Sequence, residues 1–450
     1  MMENLFGTDG IRGVANTYPM DIETAATLGK AVAGYFGKSS GNSARHIVIG
    51  QDTRLSGDML AQAVAAGACA AGVDVWMLGV LPTPGIAYMT AATQAVAGIV
   101  ISASHNPYED NGIKLFDKDG YKLPDPIETQ IEAYLKGELP ITLAPSKDIG
   151  RLKNVEDAND QYVKFLLRSI IRPPGSKLTI VLDCANGATF KVAPELFHRL
   201  GNKVFTLSCN PNGRNINADC GSQHPQHLAQ AVLEHQADLG LAFDGDGDRL
   251  IAVDEKGRIL SGDQIVAILA KALKQMGRLK NNTVVSTVMS NLGLRTALQQ
   301  MGIQHISTQV GDRHVMQAML EKDAVLGGED SGHIILRNVH TTGDGLLAAL
   351  GLIESLTAST QPVSVLAKVM TVFPQVLINV EVKEKPGLEN LPTIVNVIRQ
   401  AEERLGGQGR VLVRYSGTQN ICRVMVEGPT QDITDSLCEE IASEVRNKLS

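Results

Sequence analysis

The sequence predicts an α/β protein in which three related α/β domains are followed by a smaller C-terminal α+β domain. Its 450 residues are enough for three or four domains at roughly 100–200 residues each. The order strand, helix, glycine, strand occurs three times, beginning at His46, Leu178 and Thr283. Each copy is typical of a βαβ unit of about 30 residues, whose two strands pair in parallel through a right-handed crossover. Three copies favour three domains of related plan, although βαβ units are common and chance resemblance is the alternative.

The three repeats and the C-terminal region give the predicted elements in order. The paired strands are expected at 46–50 with 73–78, at 178–183 with 203–207, and at 283–287 with 303–307. A helix joins each pair and ends near Gly72, Gly201 or Gly302, because glycine is favoured just after a helix. From Phe373 onward, strands are expected at 376–382, 410–414 and 423–427, and helices at 393–405 and 433–449.

Breaks in composition set the predicted domain boundaries. Residues 140–148 are rich in Pro, Ser and Thr and indicate a linker, 254–258 indicate a turn between strands, and 359–362 form a polar break. The predicted domains are therefore 1–150, 151–255, 256–370 and 371–450.

Composition and charge argue against several classes of partner and location. Hydrophobic residues make up 44% and charged residues 20% of the chain, as in an ordinary globular protein. The formal net charge of −7 argues against nucleic acid or an anionic membrane as the main partner, and a small anionic substrate stays possible.

No apolar run approaches the roughly 20 residues that span a bilayer, and residues 1–10 lack the pattern of a signal peptide. The six cysteines are scattered without a Cys-x-x-Cys pair, which favours reduced thiols in a cytoplasmic protein.

A candidate nucleophile follows a predicted buried strand at 97–101. The strand stops at the small polar residues 102–106, and Pro107 cannot continue a strand ladder. Ser104 is therefore expected in a loop at a strand end, beside His105 and with Lys114 nearby in sequence. A hydroxyl in this setting could be a nucleophile or a phosphate carrier, and an ordinary Ser/Asn/Pro turn is the alternative.

A candidate metal loop follows the predicted strand 239–243. Asp244, Asp246 and Asp248 stand at every second position, so an extended segment projects all three carboxylates from one side. Three such charges repel unless a cation lies among them, and oxygen ligands suit Mg²⁺ or Ca²⁺. An EF-hand is rejected because Arg249 replaces its required glycine and a strand precedes the loop. A solvated acidic turn is the alternative, and a phosphorylated Ser104 could supply one further oxygen ligand.

Three further loops are candidates for anion or sugar binding. Residues 6–13 contain three glycines around Arg12, a fixed charge that could contact an anion, with a surface turn as the alternative. In 327–333, Glu329 and Ser331 could hydrogen-bond sugar hydroxyls, whereas a polar turn is the alternative. In 414–420, an arginine, two hydroxyls and a glycine could form a phosphate cradle, whereas a turn without ligand is the alternative.

Taken together, these motifs resemble the α-D-phosphohexomutase superfamily over essentially the whole chain. The matching segments, in order, are Ser-His-Asn-Pro at 104–107, Asp-Gly-Asp-Gly-Asp-Arg at 244–249, Gly-Glu-Asp-Ser-Gly-His at 328–333 and the loop 414–420. The resemblance implies four domains around a central cleft, a phosphorylated Ser104, and one Mg²⁺ held by Ser104, Asp244, Asp246 and Asp248. It implies that His105, Lys114 and Arg12 assist at the active centre. The substrate-binding residues that it implies are Arg249, Gly311, Asp312, Arg313, Glu329, Ser331, His333, Arg414, Ser416, Gly417, Thr418 and Arg423.

Within that superfamily, three segments resemble the phosphoglucosamine mutases more than the phosphomannomutases. They are Gly-Thr-Asp-Gly-Ile-Arg-Gly at 7–13, Asn-Ile-Asn-Ala-Asp-Cys-Gly-Ser at 215–222 and Val-Gly-Asp-Arg at 310–313. The phosphate loop departs from the usual Arg-Pro-Ser-Gly-Thr-Glu-Pro, since Tyr415 replaces the proline and Gln419-Asn420 replaces Glu-Pro.

The resemblance implies interconversion of glucosamine 6-phosphate and glucosamine 1-phosphate, with a hexose bisphosphate as activator and the enzyme a monomer or homodimer. A phosphomannomutase/phosphoglucomutase and a catalytically silent sugar-phosphate-binding protein are the alternatives.

Overall fold

The computed structural model describes residues 5–7, 9–37, 45–169, 177–416 and 420–450. The chain divides into two compact units, of which unit 1 comprises residues 1–288 with 304–368 and unit 2 comprises residues 289–303 with 369–450. Among the described residues, no helix combines the length and the apolar character needed to cross a bilayer.

The first sheet of unit 1 has six strands in the order β1-β5-β4-β2-β3-β6. Its middle strands β2 and β4 are buried at every position, as expected for parallel strands covered on both faces. The strands are β1 (Ile11–Val14), β2 (His46–Gln51), β3 (Asp74–Val80), β4 (Ala97–Ile101), β5 (Asp110–Asp117) and β6 (Leu152–Asn154). The helices around them are α1 (Ile22–Gly37), α2 (Gly57–Ala70), α3 (Thr83–Ala92), α4 (Asp125–Leu135) and α5 (Ala158–Ser169).

The second sheet has five strands in the order β11-β10-β9-β7-β8. Its strands are β7 (Thr179–Asp183), β8 (Lys203–Leu207), β9 (Leu239–Phe243), β10 (Leu250–Asp254) and β11 (Ile259–Leu260), with helices α6 (Thr189–Arg199), α7 (Gln226–Glu234) and α8 (Gly262–Gln275) in the same stretch of chain.

The third sheet has four strands in the order β13-β12-β14-β15. Its strands are β12 (Thr283–Thr287), β13 (Gln304–Thr308), β14 (Leu326–Gly328) and β15 (Ile334–Leu336), and the helices of this stretch are α9 (Leu292–Gln300), α10 (Asp312–Glu321), α11 (Gly345–Ser359) and α12 (Val363–Leu366).

The three sheets share one topology. In each, two parallel partners flank a middle strand, and an antiparallel strand lies beyond one of them: β5-β4-β2-β3, β10-β9-β7-β8 and β15-β14-β12-β13. The predicted repeats are confirmed, because β2 with β3, β7 with β8, and β12 with β13 all pair in parallel. The glycines that follow the joining helices, Gly72, Gly201 and Gly302, all have positive φ, as a helix C-terminus favours.

Unit 2 contains the predicted α+β region. Its sheet has the order β16-β18-β17, with both pairings antiparallel. The elements, which follow the sequence prediction closely, are β16 (Gln375–Glu381), α13 (Pro392–Leu405), β17 (Arg410–Tyr415), β18 (Ile421–Glu427) and α14 (Gln431–Leu449). The residue boundaries of the four domains stay a prediction. Strand β6, at residues 152–154, pairs with β3 of the first sheet.

Helices α1 and α2 pack through small residues. A Cβ atom added at Gly29 would lie 2.0 Å from the carbonyl oxygen of Val64, and one at Gly67 would lie 2.0 Å from that of Ala26. Both distances are far below van der Waals contact, so the two helix backbones touch at these glycines. Gly34 lies on the same helix as Gly29, but nothing comes within 4 Å of its added Cβ.

This difference predicts opposite effects for two chemically identical substitutions. Gly29→Ala should lower the free energy of unfolding by about 1–3 kcal/mol, because the helices must separate to admit the methyl group. Gly34→Ala, the matched control, should raise it by about 0.5–1 kcal/mol, because alanine is the better helix former. Urea unfolding of both variants measures the effect. Equal shifts would contradict the close approach of the two helices.

Candidate active site

Ser104 lies where the sequence predicts it, in the loop after β4. The side chain is buried, and its φ of +54° lies in the left-handed region, which costs a residue with a Cβ on the order of 1–2 kcal/mol. Its hydroxyl donates a hydrogen bond to Oδ2 of Asp244 at 2.7 Å. Nδ1 of His105 lies 3.4 Å from the same hydroxyl. The strained backbone therefore presents the hydroxyl to the metal loop.

The three aspartates of that loop converge as the alternating pattern predicts. The loop joins β9 to β10, and one carboxylate oxygen each from Asp244, Asp246 and Asp248 lie within 4.8 Å of one another. All three side chains are buried. Burial, together with the charges of Asp248 and Asp246, raises the pKa of Asp244 well above its usual value. This repulsion is the electrostatic cost of the cluster.

The donor set fits Mg²⁺. Oδ1 of Asp246 and Oδ1 of Asp248 are buried and have no hydrogen-bond partner in the structure. Buried, unpartnered carboxylate oxygens on three converging aspartates suit a hard divalent cation. Asp244, Asp246 and Asp248 would therefore hold the ion, with an oxygen on Ser104 as a further ligand.

Six side chains, alternately acidic and basic, form a closed ring beside this cluster. Around the ring they are Asp248, Lys114, Asp9, Lys122, Asp312 and His333. The ammonium of Lys114 lies 3.8 Å from Asp248 and 3.1 Å from Asp9. Imidazole nitrogens of His333 lie 3.7 Å from Asp312 and 3.4 Å from Asp248. Residues far apart in sequence are thereby fixed around one centre.

The acidic residues around Lys114 and His333 also shift the pKa values of these two side chains. Burial opposes the charge of Lys114, but Asp246, Asp9 and Asp248 outweigh it and raise the pKa of this lysine above its ordinary value. In the same way, Asp248 and Asp312 overcome burial and raise the pKa of His333. Lys114 is therefore a fixed positive charge in this arrangement, and a divalent cation bound to the same aspartates would oppose the shift.

The pKa of His105 is lowered, in contrast to those of Lys114 and His333. Burial and the guanidinium groups of Arg249 and Arg12 lower the pKa of this histidine to about 4. Its imidazole is consequently neutral near pH 7 and can accept a proton from a group that it reaches.

The other predicted residues of unit 1 lie around this centre. Nε of Arg249 is 3.9 Å from Asp244 and 3.8 Å from Asp248, and Arg12 pairs with Asp9. The backbone of the loop 329–333 is hydrogen-bonded to the end of the metal loop, because Leu250 donates to the Gly332 carbonyl at 3.0 Å. Ser331 is exposed in this loop.

The loop at 311–313 connects the site to a large cavity. The Gly311 amide donates to Oε1 of Glu329 at 3.1 Å. Arg313 is engaged by two acidic residues of α4, Asp125 and Glu128, the latter at 2.8 Å. A cavity of about 590 Å³ is lined in part by Lys122, Asp312, Arg313 and His333.

Unit 2 carries two predicted phosphate-binding arginines on neighbouring strands. Arg414 of β17 lies directly opposite Arg423 of β18 in the antiparallel register. Burial and the charge of Arg423 lower the pKa of Arg414, and Nε of Arg423 is buried without a hydrogen-bond partner. Like charges in direct cross-strand register are destabilising, so this pair indicates an anion site. Ser416 is buried beside them in sequence, whereas the predicted ligands Gly417 and Thr418 lie outside the described residues.

Sequence reasoning missed three polar residues at the centre. Asp9 belongs to the ring of charges, although it stands beside Arg12 in a segment already singled out. Lys122 links Asp9 to Asp312 and follows an ordinary hairpin, which gives no signal in sequence. Thr83 donates to Oδ2 of Asp246 at 2.6 Å from the first turn of α3, and nothing in a single sequence indicates that contact.

Family comparison agrees with the four-part fold. Models of the phosphoglucomutase/phosphomannomutase family match the chain in four parts: alpha/beta/alpha domain I at residues 3–140, domain II at 160–257, domain III at 261–373 and the C-terminal domain at 377–444. The chain belongs to this family of phosphohexomutase enzymes.

Relatives of similar length specify the type of phosphohexomutase that the chain resembles. The chain is 53% identical to the phosphoglucosamine mutase of Syntrophus aciditrophicus (strain SB), with all of both chains covered. It is 52% identical to the phosphoglucosamine mutase of Syntrophobacter fumaroxidans, with 99% of each covered.

Solved structures share the fold. A phosphoglucomutase/phosphomannomutase family protein from Burkholderia thailandensis has a TM-score of 0.80 at 22% identity, covering 99% of this chain and 98% of that one. An Aspergillus fumigatus N-acetylphosphoglucosamine mutase in complex with GlcNAc-6P and magnesium has a TM-score of 0.68 at 17% identity, covering 99% of this chain and 96% of that one.

The aspartate cluster predicts a magnesium-dependent gain in stability. At about 100 times its dissociation constant, an ion that binds only the folded protein stabilises it by about 2.7 kcal/mol. Thermal melts with EDTA and with Mg²⁺ should therefore differ for the wild type. The difference should shrink strongly in Asp246→Asn, which removes one carboxylate from the set. Asp119→Asn, at an exposed hairpin residue, is the control and should keep the full shift. An undiminished shift in Asp246→Asn would place the ion elsewhere.

Proposed function

We propose that this chain is a phosphoglucosamine mutase that interconverts glucosamine 6-phosphate and glucosamine 1-phosphate, serving UDP-N-acetylglucosamine and cell-envelope synthesis. One observation carries the proposal at the level of chemistry. The Ser104 hydroxyl is buried at hydrogen-bond distance from a cluster of three carboxylates, which is the arrangement that a phosphoserine and its metal ion require. The names of the relatives supply the identity of the sugar.

The reaction would proceed through two phosphoryl transfers. Phosphorylated Ser104 donates its phosphoryl group to the free hydroxyl of the substrate, which gives a 1,6-bisphosphate and an unmodified serine. The bisphosphate reorients, and its other phosphate returns to Ser104. When bound, Mg²⁺ neutralises negative charge on the group in transfer. Each cycle begins and ends with phosphorylated Ser104, so enzyme with a free serine cannot start one. A hexose bisphosphate that phosphorylates the free serine would therefore act as activator.

The side chains around Ser104 have separable roles in this scheme. Lys114, Arg12 and Arg249 supply fixed positive charge for a phosphoryl group in transit. Neutral His105, 3.4 Å from the serine hydroxyl, is suited to exchange a proton with it as the phosphoryl group leaves and returns. Substrate-binding roles are proposed for Gly311, Asp312, Arg313, Glu329, Ser331 and His333. In unit 2, Arg414 and Arg423, with Ser416, Gly417 and Thr418, would bind the phosphate that does not react.

Further parts of the proposal concern the protein as a whole. The domains are proposed at 1–150, 151–255, 256–370 and 371–450. The enzyme is expected in the cytoplasm as a monomer or homodimer, with neither nucleic acid nor membrane as partner.

The carrier role predicts the behaviour of Ser104→Ala. Removing the hydroxyl should lower mutase turnover by at least about a thousandfold, as loss of a nucleophile does. Intact mass of the wild type should show one phosphate, whereas the variant should show none after treatment with glucose 1,6-bisphosphate. Ser146→Ala, at an exposed serine of a short 3₁₀ helix, is the control. Full activity in Ser104→Ala would exclude the phosphoserine route.

Assays of the wild type separate the alternative functions. Turnover on glucose or mannose phosphates alone would favour a phosphomannomutase/phosphoglucomutase. A folded wild type without turnover on any sugar phosphate would favour a silent binding protein.

The arginine pair of unit 2 predicts a kinetic loss without a loss of stability. A charge-assisted hydrogen bond contributes about 1.5–3 kcal/mol, so Arg414→Ala should lower kcat/KM for glucosamine 6-phosphate at least about tenfold. Its melting temperature should not fall, because the substitution removes a like-charge cross-strand pair. The exposed Arg399→Ala on α13 serves as the control. Unchanged kinetics in Arg414→Ala would place the phosphate cradle elsewhere.

A further inference from the structure

The loop that carries Ser104 is held by one buried guanidinium, that of Arg54. Its Nη2 donates to the carbonyl oxygens of Ser104 at 3.0 Å and Asn106 at 2.8 Å. Its Nη1 donates to the carbonyl oxygen of Asp110 at 3.0 Å and to that of Pro107. Its Nε donates to Oδ2 of Asp52 at 2.8 Å. All five N–H groups of the guanidinium are thereby used, and four of them bind the loop backbone.

A second chain of contacts fixes the amide side of Ser104. The Ser104 amide donates to the Ser102 hydroxyl at 2.9 Å, and that hydroxyl donates to Oδ2 of Asp52 at 2.6 Å. Because Asp52 Oδ2 also accepts from Arg54, one carboxylate couples the two sides. The side chains of Asp52 and Arg54 are fully buried, so solvent does not compete for these bonds.

Two loops of the second sheet also contact the Ser104 peptide, one after β8 and the other, the metal loop, after β9. Nδ2 of Asn217 donates to the carbonyl oxygens of Ser104 at 2.9 Å and Asn106 at 3.1 Å. A Cβ atom added at Gly245 of the metal loop would lie 2.5 Å from the Ser104 carbonyl oxygen. The Ser104 peptide is thus confined between Arg54 on one side and the metal loop on the other.

We propose that Arg54 is a positioning residue for phosphoryl transfer, which holds Ser104 in its left-handed conformation so that the hydroxyl meets the aspartate cluster. The inference rests on the proposed function, in which Ser104 carries the phosphoryl group. Arg54 touches neither the hydroxyl nor the aspartates of the cluster in the contacts above. It acts on the backbone, and its effect reaches the chemistry only through the direction of the serine side chain.

The geometry requires arginine rather than a generic cation. Lysine has three donors on one nitrogen, whereas the bound carbonyl groups are spread over a loop from Ser104 to Asp110 and match the planar fork of a guanidinium. Arg54→Lys would keep the charge beside Asp52 and leave several buried carbonyl groups without a donor. The loop would then relax from the strained φ at Ser104, and a misplacement of about 1 Å at a reacting group lowers its rate by about a hundredfold.

The test compares the rate of Ser104 phosphorylation with substrate affinity. Wild type, Arg54→Lys and Ser102→Ala are mixed with glucose 1,6-bisphosphate and Mg²⁺, and the phosphate gained is followed by intact mass in single turnover. We expect phosphorylation to slow by about a hundredfold in Arg54→Lys and to a smaller extent in Ser102→Ala. KM for glucosamine 6-phosphate should stay within about twofold, since Arg54 is not among the groups that bind the sugar. Guanidinium ion added at millimolar concentration should partly restore the rate in Arg54→Ala.

Arg337→Lys is the matched control. Arg337 is another arginine of unit 1 that binds a backbone carbonyl, that of Ala324 at 2.7 Å, and the carboxylate of Asp323, although its side chain is only partly buried. Its substitution should lower the melting temperature and leave the phosphorylation rate of the folded protein unchanged.

The outcomes separate the inference from the function beneath it. A wild type that gains no phosphate on Ser104 would contradict the proposed function itself. If the wild type is phosphorylated and folded Arg54→Lys is phosphorylated at the same rate, only the proposed role of Arg54 is overturned. The same holds if the phosphorylation rate of Arg54→Lys falls only in proportion to its folded fraction. If Arg54→Lys does not fold, Ser102→Ala decides, and an unchanged rate in that variant overturns the inference.

Discussion

The repulsion among three buried carboxylates is the constraint on which the rest of the site depends. Asp244, Asp246 and Asp248 converge within 4.8 Å away from solvent, an arrangement that is unfavourable without positive charge. Lys114 and Arg249 place positive charge beside these carboxylates. Asp248 and Asp312 raise the pKa of His333 against the effect of burial, and Oδ1 of Asp246 and Oδ1 of Asp248 have no hydrogen-bond partner. The arrangement therefore fits a divalent ion beside a serine hydroxyl.

The threefold topology explains how such distant segments meet. Ser104 follows β4, the metal loop follows β9, and the loop with Glu329 follows β14. These three strands occupy the same position in the three sheets, each between the middle strand and the antiparallel one. Ligands in open α/β sheets bind beyond the carboxyl ends of the strands. The repeated topology thus places Ser104, the aspartate cluster and the loop with Glu329 at equivalent points of the three sheets.

The sequence predicted what depends on local pattern and missed what depends on long-range contact. Buried strands such as β4, and the alternating aspartates after β9, have periodicities that a single sequence displays. Arg54 and Lys122 do not, since their roles arise only when Pro107 or Asp312 is brought against them by the fold. The left-handed conformation of Ser104 was equally invisible, because the Arg54 and Asn217 contacts to its carbonyl oxygen join residues far apart in sequence.

The most direct test of the account follows the phosphate itself. Enzyme carrying ³²P on Ser104 would be mixed in a single turnover with unlabelled glucosamine 6-phosphate in the presence of Mg²⁺, and the label would be located in protein, bisphosphate and monophosphate over time. The label is expected to leave Ser104 and to appear first in the sugar bisphosphate. Label that stays on the protein while glucosamine 1-phosphate forms would contradict it.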